Sequence, residues 1–316
     1  MSAAIHDEVG ADMPKRIHAE IPIRADAEQI YLAWTESDAL QRWFAEDADV
    51  DVDEGRYAFW GRYQPDAPQQ DAADQRVLLA DSGQRLRFDW RVGGVETTVD
   101  VRIEQHARAT RVTVDQEWLP DPAAAVIEAF WSLSLENLRG WLERGVVGAR
   151  CDFSQAAGEV VHLSIDVDAQ PDAVFQALVD PRQIDRYMGS NASIEPVVGG
   201  AFSLGWSDHK PMRILDLEPN KRLSYTWDYE GDEHARDTVV TWSLEGSGGK
   251  TRLTLVHSGF SAKRGSEDYK IGWLDFLNRI KFMVEVGPSW SRPNTHGMHR
   301  SDEPVDAALY SAVLPD

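Results

Sequence analysis

The 316-residue sequence predicts an α+β protein built from two tandem copies of one domain, each a curved antiparallel sheet wrapped on a long C-terminal helix. Three observations predict this fold: an internal repeat, segments in which apolar and polar residues alternate, and an amphipathic segment that closes each copy. The length suits about two domains of roughly 150 residues each. Hydrophobic residues make up 42% of the chain, enough for two ordinary cores.

The internal repeat is the strongest feature of the sequence. Residues 17–25 match residues 161–169, and the stretch from Trp131 to Gly145 matches the stretch from Trp273 to Gly287. The separation changes only where loops are predicted, as it should if residues were inserted or deleted there. The repeat therefore divides the chain into a first domain at 16–145, a linker at 146–158, a second domain at 159–287, and a C-terminal tail at 288–316 that has no counterpart.

Both copies predict the same order of elements. Alternating apolar residues from Ile17 to Ile23 indicate a strand, and two short helices follow it. Six further strands are separated by turn sequences such as Asp81-Ser-Gly. The closing helix of the first copy opens at Asp121-Pro122 and ends at Gly145, where glycine is the usual terminator.

A bent sheet and a single helix cannot fill all the space between them, so each copy should hold either a filled core or a pocket. Apolar residues with inward parity on the strands, or on the inner face of the helix, are the candidate ligand contacts. In the first copy they are Phe88, Trp90, Val101, Trp131 and Leu135, and in the second Tyr225, Trp227, Trp242, His257, Trp273, Phe276 and Ile280. A plain core is the alternative for each of these side chains.

His257 is the candidate for catalysis that the alternation singles out, and Arg213 and Asp216 on the predicted strand at residues 212–217 are secondary candidates, because the inward face of that strand is ambiguous. His257 ends the alternating run Leu253, Leu255, His257, and its counterpart in the first copy is Gln116. Two interpretations stay open. The His257 side chain is either a hydrogen-bonded core residue or a polar group that orients a ligand or moves a proton.

Several classes of protein are disfavoured. No Gly-x-Ser-x-Gly, Walker, His-Glu-x-x-His or Gly-x-Gly-x-x-Gly motif occurs, so no cofactor is expected. His296 and His299 supply too few ligands for a metal site, and none is predicted. The net charge of −21 disfavours nucleic acid and anionic membranes as partners. No apolar run is long enough to span a bilayer and no secretory signal opens the chain, so a cytoplasmic location is expected.

Residues in both copies also resemble a known superfamily. The pattern in the first copy is Trp43-Phe44, Gly55, Phe59-Trp60, residues 86–90, residues 110–114, Trp131 and Gly145. The second copy adds residues 199–202, 223–227 and 257–259, and Gly272-Trp273. This pattern resembles the START or birch-pollen-allergen superfamily, also called SRPBCC, and within it the C-terminal domain of the activator of the heat-shock-protein-ninety ATPase.

The resemblance implies a helix-grip fold, and many such proteins bind a hydrophobic small molecule between sheet and helix. Tandem helix-grip proteins of this size also resemble aromatase/cyclases and accessory proteins of bacterial polyketide and enediyne pathways. Three hypotheses stay open. The favoured one is binding of a hydrophobic small molecule such as a polyketide or linear polyene. The others are a cyclase or aromatase, and a protein-interaction module that activates a chaperone. The eukaryotic activator pairs this domain with an unlike N-terminal domain, whereas both halves here are of the C-terminal type.

Overall fold

The computed structural model describes residues 15–66, 69–70, 73–155, 158–205, 212–227, 238–260 and 266–298. It contains two antiparallel sheets, one in each half of the chain, and each sheet packs against a long helix. The predicted α+β fold with two tandem helix-grip domains is therefore confirmed.

The first domain begins with a strand, continues through two short helices and six strands, and ends in a long helix. Its elements are β1 (Lys15–Ile23), α1 (Ala27–Thr35), α2 (Ser37–Trp43), β2 (Asp47–Asp51), β3 (Arg56–Trp60), β4 (Arg76–Asp81), β5 (Arg85–Val92), β6 (Val95–Gln105), β7 (Thr110–Leu119) and α3 (Asp121–Arg144). Local chemistry sets the helix ends. Asp26 and Gln29 form a reciprocal capping box before α1, and Gly145 ends α3 with a left-handed φ of 68°.

The second domain repeats this order. Its elements are β8 (Val160–Val167), α4 (Pro171–Val179), α5 (Pro181–Met188), β9 (Ser193–Ile194), β10 (Ala201–Ser203), β11 (Met212–Glu218), β12 (Arg222–Trp227), β13 (Thr238–Ser247), β14 (Lys250–Ser258) and α6 (Glu267–Val286). The strand order is β8-β14-β13-β12-β11-β10-β9, which matches β1-β7-β6-β5-β4-β3-β2 of the first domain.

The segment after the second domain returns to the first. A 3-10 turn at Gly287–Ser289 follows α6, and Asn294–Met298 forms strand β15, which pairs antiparallel with β1. The sequence predicts only an unmatched tail here, because Asn-Thr-His-Gly-Met has no apolar alternation. Its strand form depends on the free edge that β1 offers, because β1 pairs with β7 on its other side.

Helices α3 and α6 also pack against each other and join the two domains. A β-carbon at Gly140 would lie 2.6 Å from the ring of Phe282, so the close approach requires glycine at this point. Polar side chains cross the same interface: Ser132 Oγ of α3 donates to Asp275 of α6 at 2.7 Å and accepts from Arg279 Nη2 at 2.9 Å, and within α6 Arg279 pairs with Asp275 at 2.6 Å. The domains therefore share a buried interface that contains paired charges.

Candidate ligand-binding site

A small cavity lies between the sheet and α6 of the second domain. Its volume is about 10 Å³, room for roughly one water molecule. Helices α4 and α5, strands β10, β12 and β13, and helix α6 contribute to its wall. The lining side chains are Leu178, Tyr187, Met188, Phe202, Leu204, Tyr225, Trp242, Trp273, Phe276 and Ile280.

Tyr187 and Tyr225 supply the two hydroxyl groups of this otherwise mostly apolar wall. Tyr225 stacks on Phe202 with ring centroids 4.2 Å apart, and its hydroxyl accepts a hydrogen bond from Trp242 Nε1 at 3.1 Å. Burial raises the pKa of both Tyr187 and Tyr225 far above the ordinary value of 10.0, so both phenols are neutral. A neutral phenol can donate to a carbonyl or hydroxyl oxygen of a bound molecule.

The equivalent region of the first domain holds a cluster of aromatic rings. Phe44 stacks on Trp131 of α3 with ring centroids 5.7 Å apart, and Phe130 lies 5.6 Å from Trp90. Trp34 packs against Trp131 at 6.0 Å. All five rings are buried, and together they occupy the space between the sheet and α3.

His257 belongs to a hydrogen-bonded chain that ties α6 to the sheet. Trp273 Nε1 donates to His257 Nδ1 at 3.0 Å, and His257 Nε2 lies 2.7 Å from Thr238 Oγ1. The indole N–H can only donate, so Nδ1 is the acceptor and the proton of the neutral ring sits on Nε2. Thr238 Oγ1 in turn donates to the carbonyl of Trp227 at 3.2 Å.

The first domain contains the same chain with an amide in place of the imidazole. Trp131 Nε1 donates to Gln116 Oε1 at 2.7 Å, and Gln116 Nε2 donates to Thr97 Oγ1 at 2.8 Å. Thr97 Oγ1 then donates to the carbonyl of Trp90 at 2.6 Å. An amide that cannot exchange protons near neutral pH fills the same place, so the chain needs an acceptor and a donor rather than an acid or a base. Burial lowers the pKa of His257 from 6.5 to about 4, which keeps the ring neutral.

The structure distributes the candidate contacts over three environments. Phe88, Trp90, Val101, Trp131 and Leu135 lie in the core of the first domain. Tyr225, Trp242, Trp273, Phe276 and Ile280 meet around the cavity. Trp227 is partly buried beside them, and His257 lies in the hydrogen-bonded chain.

Sequence reasoning missed half of the cavity wall. Leu178, Tyr187 and Met188 come from the two short helices, and Phe202 and Leu204 from β10 and the residues just after it. The repeat pairs Tyr187 and Met188 with Trp43 and Phe44. Both of those rings are also buried, so the repeat could have identified Tyr187 and Met188 as interior residues.

Neither a cluster of metal-ligating side chains nor an ionised thiol is present in the described part of the chain. No group of three His, Cys, Asp or Glu side chains there could hold a metal ion. His296 lies on β15, and His299 falls outside the described residues. Burial raises the pKa of the Cys151 thiol to about 12, so it is protonated at neutral pH.

One family model matches both halves of the chain. The family is described as activator of Hsp90 ATPase homolog 1-like protein, and its model matches residues 24–143 and again residues 168–285. No curated protein matches the sequence. Among the described helices, none is long and apolar enough to cross a membrane.

Solved structures resemble the chain at low sequence identity. CalU16 from Micromonospora echinospora is 28% identical over 40% of this chain and 75% of its own, with a TM-score of 0.35. DynU16, a protein of the dynemicin biosynthetic locus, is 17% identical over 85% of this chain and 98% of its own, with a TM-score of 0.33. An HSP90 activator from Plasmodium falciparum is 23% identical over 43% of this chain and 100% of its own, with a TM-score of 0.37.

Proposed function

The chain belongs to the family of activator of Hsp90 ATPase homolog 1-like proteins, and from this premise we propose that its second domain binds a hydrophobic small molecule between the sheet and α6. The observation that carries the proposal is the apolar cavity in the second domain, at a position where rings occupy the first domain. The two neutral phenols suit a ligand with a carbonyl or hydroxyl oxygen on an apolar body, such as a polyketide or an oxygenated linear polyene.

The cavity must expand when such a ligand enters, because its present volume of about 10 Å³ is far smaller than a ligand pocket of roughly 300 Å³ or more. Phe276 and Met188 are the wall residues best placed to move, since both are only partly buried. Expansion of this kind makes the open form a minor state that the ligand stabilises. The proposal includes no catalytic step, because both ring nitrogens of His257 are hydrogen-bonded within the protein.

A fluorescent hydrocarbon polyene, 1,6-diphenyl-1,3,5-hexatriene, tests the proposal. We expect saturable binding by the native protein. Phe276→Ala should bind the probe more tightly, because it enlarges the cavity. Ile280→Phe should weaken binding at least about ten-fold, which corresponds to about 1.4 kcal/mol, because the larger side chain fills the cavity.

The matched control is Leu138→Phe, which makes a similar change at the equivalent position of α3, in the domain whose interior is occupied by rings. It should leave probe binding unchanged in protein that keeps its native near-ultraviolet circular dichroism. Absence of saturable binding by both the native protein and Phe276→Ala would reject the proposal. Equal losses in Ile280→Phe and Leu138→Phe would also reject it.

A second function is favoured by the family alone: contact with a heat-shock-protein-ninety chaperone that raises its ATPase rate. The test is the ATPase rate of the purified chaperone with increasing amounts of this protein. An unchanged rate at saturating protein would exclude this function and would leave the small-molecule proposal untouched.

A further inference from the structure

A larger cavity, here called the interdomain cleft, lies between the two domains and apart from both sheet-to-helix gaps. Its volume is about 350 Å³, at the lower end of the range of ligand pockets, about 300–1,000 Å³. The first domain contributes the end of β1, the loop between β6 and β7, and the C-terminal half of α3. The second domain contributes the end of α6, and residues 288–291 close the wall. Only the tandem chain can form this cleft.

The lining of the cleft is cationic, although the chain as a whole carries a net charge of −21. Four arginines and two glutamates line it: Arg24, Arg108, Arg139, Arg144, Glu136 and Glu143. Arg144 is neutralised by Glu285 at 2.9 Å. The exposed guanidinium of Arg24 makes no hydrogen bond or ion pair with any described residue; only its backbone N–H does, to Glu143. Arg24 is therefore available to a bound anion.

Arg139 supplies a second set of donors at the floor of the cleft. It is 7% exposed, and its Nη2 donates to both carboxylate oxygens of Glu136 at 2.8 and 2.6 Å. Its Nε and Nη1 have no hydrogen-bond partner among the described residues, and neither atom is fully buried. A guanidinium has five N–H donors, and a carboxylate accepts two of them side by side.

Apart from Ser289 and Ser291, the remaining wall is apolar, and its indole is held in place. The guanidinium of Arg139 lies over the ring of Trp290 at 5.8 Å, and Trp290 Nε1 donates to Glu136 at 3.0 Å, which fixes the indole. Phe282, Val286 and Pro22 complete this surface. The cleft thus combines a rigid aromatic wall with unsatisfied cationic donors.

We propose that the interdomain cleft binds a small organic anion, with its carboxylate held by Arg139 and Arg24 and its apolar body packed against Trp290 and Phe282. A neutral molecule of the same shape would cover the Arg139 donors without offering them a charged acceptor, which disfavours it. The long-range field of this acidic protein repels anions, so binding of one must come from these local contacts. The inference is independent of the cavity in the second domain.

Isothermal titration calorimetry with 2-naphthoate tests the proposal, with the uncharged 2-naphthalenemethanol as its neutral partner. We expect one naphthoate per chain, and at least about ten-fold weaker binding of the alcohol. Arg24→Gln should weaken naphthoate binding about ten-fold, because it removes one charged hydrogen bond. Ser289→Trp should abolish binding, because the indole would fill the cleft without touching the Arg139–Glu136 pair.

Two control variants have the same types of substitution at positions outside the cleft. Arg56→Gln and Ser82→Trp change exposed residues of the first domain and should leave naphthoate binding unchanged. The hydrocarbon polyene should not displace naphthoate, which separates this site from the cavity in the second domain. The proposal is overturned if the native protein does not bind naphthoate, or if Arg24→Gln and Ser289→Trp bind it as the native protein does.

Discussion

At the scale of single residues, the two domains show how different side chains fill one structural place. Gln116 and His257 each accept a hydrogen bond from a helix tryptophan and lie within hydrogen-bond distance of a threonine hydroxyl on the neighbouring strand. Both side chains are completely buried. The position that Gln116 and His257 share requires one acceptor and one donor with the correct separation. An unpaired indole N–H in this interior would cost about 1–3 kcal/mol.

His257 should make the stability of the protein depend on pH. Its folded pKa of about 4 lies below the ordinary 6.5, so between these values the unfolded chain binds a proton that the folded chain does not. The stability that the neutral His257 ring contributes to the fold is therefore fully present above pH 6.5 and is lost as the pH falls toward 4. With about 1.4 kcal/mol for each pKa unit, the loss is about 3 kcal/mol.

The substitution His257→Gln tests this prediction, because it copies the first domain. We expect the variant to fold, since glutamine can make both hydrogen bonds, and to lose this part of the pH dependence. The measurement is urea unfolding from pH 4 to pH 7 for both proteins. His162→Gln, at an exposed position on β8, is the control and should follow the native profile. Parallel profiles for the native protein and His257→Gln would refute the assignment.

At the scale of elements, the α3–α6 pair decides how the domains are joined. Gly140 is a point of close approach, and both the Phe282 ring and the carbonyl of Val146 lie 2.6 Å from the position of an added β-carbon. Since one of these neighbours is backbone, the added atom cannot be accommodated by a side-chain movement alone. The pair therefore depends on a residue that the helix by itself would disfavour.

Gly140→Ala should lower the free energy of unfolding by about 1–3 kcal/mol, because the methyl group overpacks the helix pair. Gly272→Ala is the matched control: this glycine also lies within a long helix, but a β-carbon there would meet open space. It should raise stability by about 0.5–1 kcal/mol through helix propensity. Chemical denaturation measures both changes, and a stabilising Gly140→Ala would contradict the packing described.

At the scale of the whole molecule, three connections make the two domains one unit. Ser132 of α3 forms hydrogen bonds with both Asp275 and Arg279 of α6, Asn278 Nδ2 donates to Asn137 Oδ1 at 3.1 Å, and β15 adds a strand from the end of the chain to the first sheet. Unfolding either domain alone would break the hydrogen bonds of Ser132 and Asn137 to α6, expose the apolar contact of Phe282 and leave an open sheet edge. We therefore expect both domains to unfold in a single cooperative transition.

Asp275→Asn should reduce the cooperativity of unfolding between the two domains. It removes the ion-pair partner of the buried Arg279, which costs up to about 3–5 kcal/mol, and calorimetry should show a lower or divided transition. Asp166→Asn is the control, since it breaks an exposed ion pair with Arg252 that contributes little. If Asp275→Asn melts like the native protein, the interface does not couple the domains.

The tandem α+β fold, the order of the elements and most residues of both cores could be predicted from the sequence, because repeat and periodicity are local properties that each segment carries. Trp90 and Trp227 occupy matching positions in the two repeats, and so do Trp131 and Trp273. In the structure one hydrogen-bonded chain joins Trp90 to Trp131, and the equivalent chain joins Trp227 to Trp273.

The way the two copies meet emerges on folding, which pairs Asn294–Met298 with β1, brings Gly140 against Phe282, and encloses Arg139 with Trp290 in the interdomain cleft. These contacts join residues far apart in the chain, and no local pattern signals them. A strand without apolar alternation forms because an unpaired sheet edge supplies its hydrogen bonds, and a cleft forms because two rigid domains meet along one pair of helices.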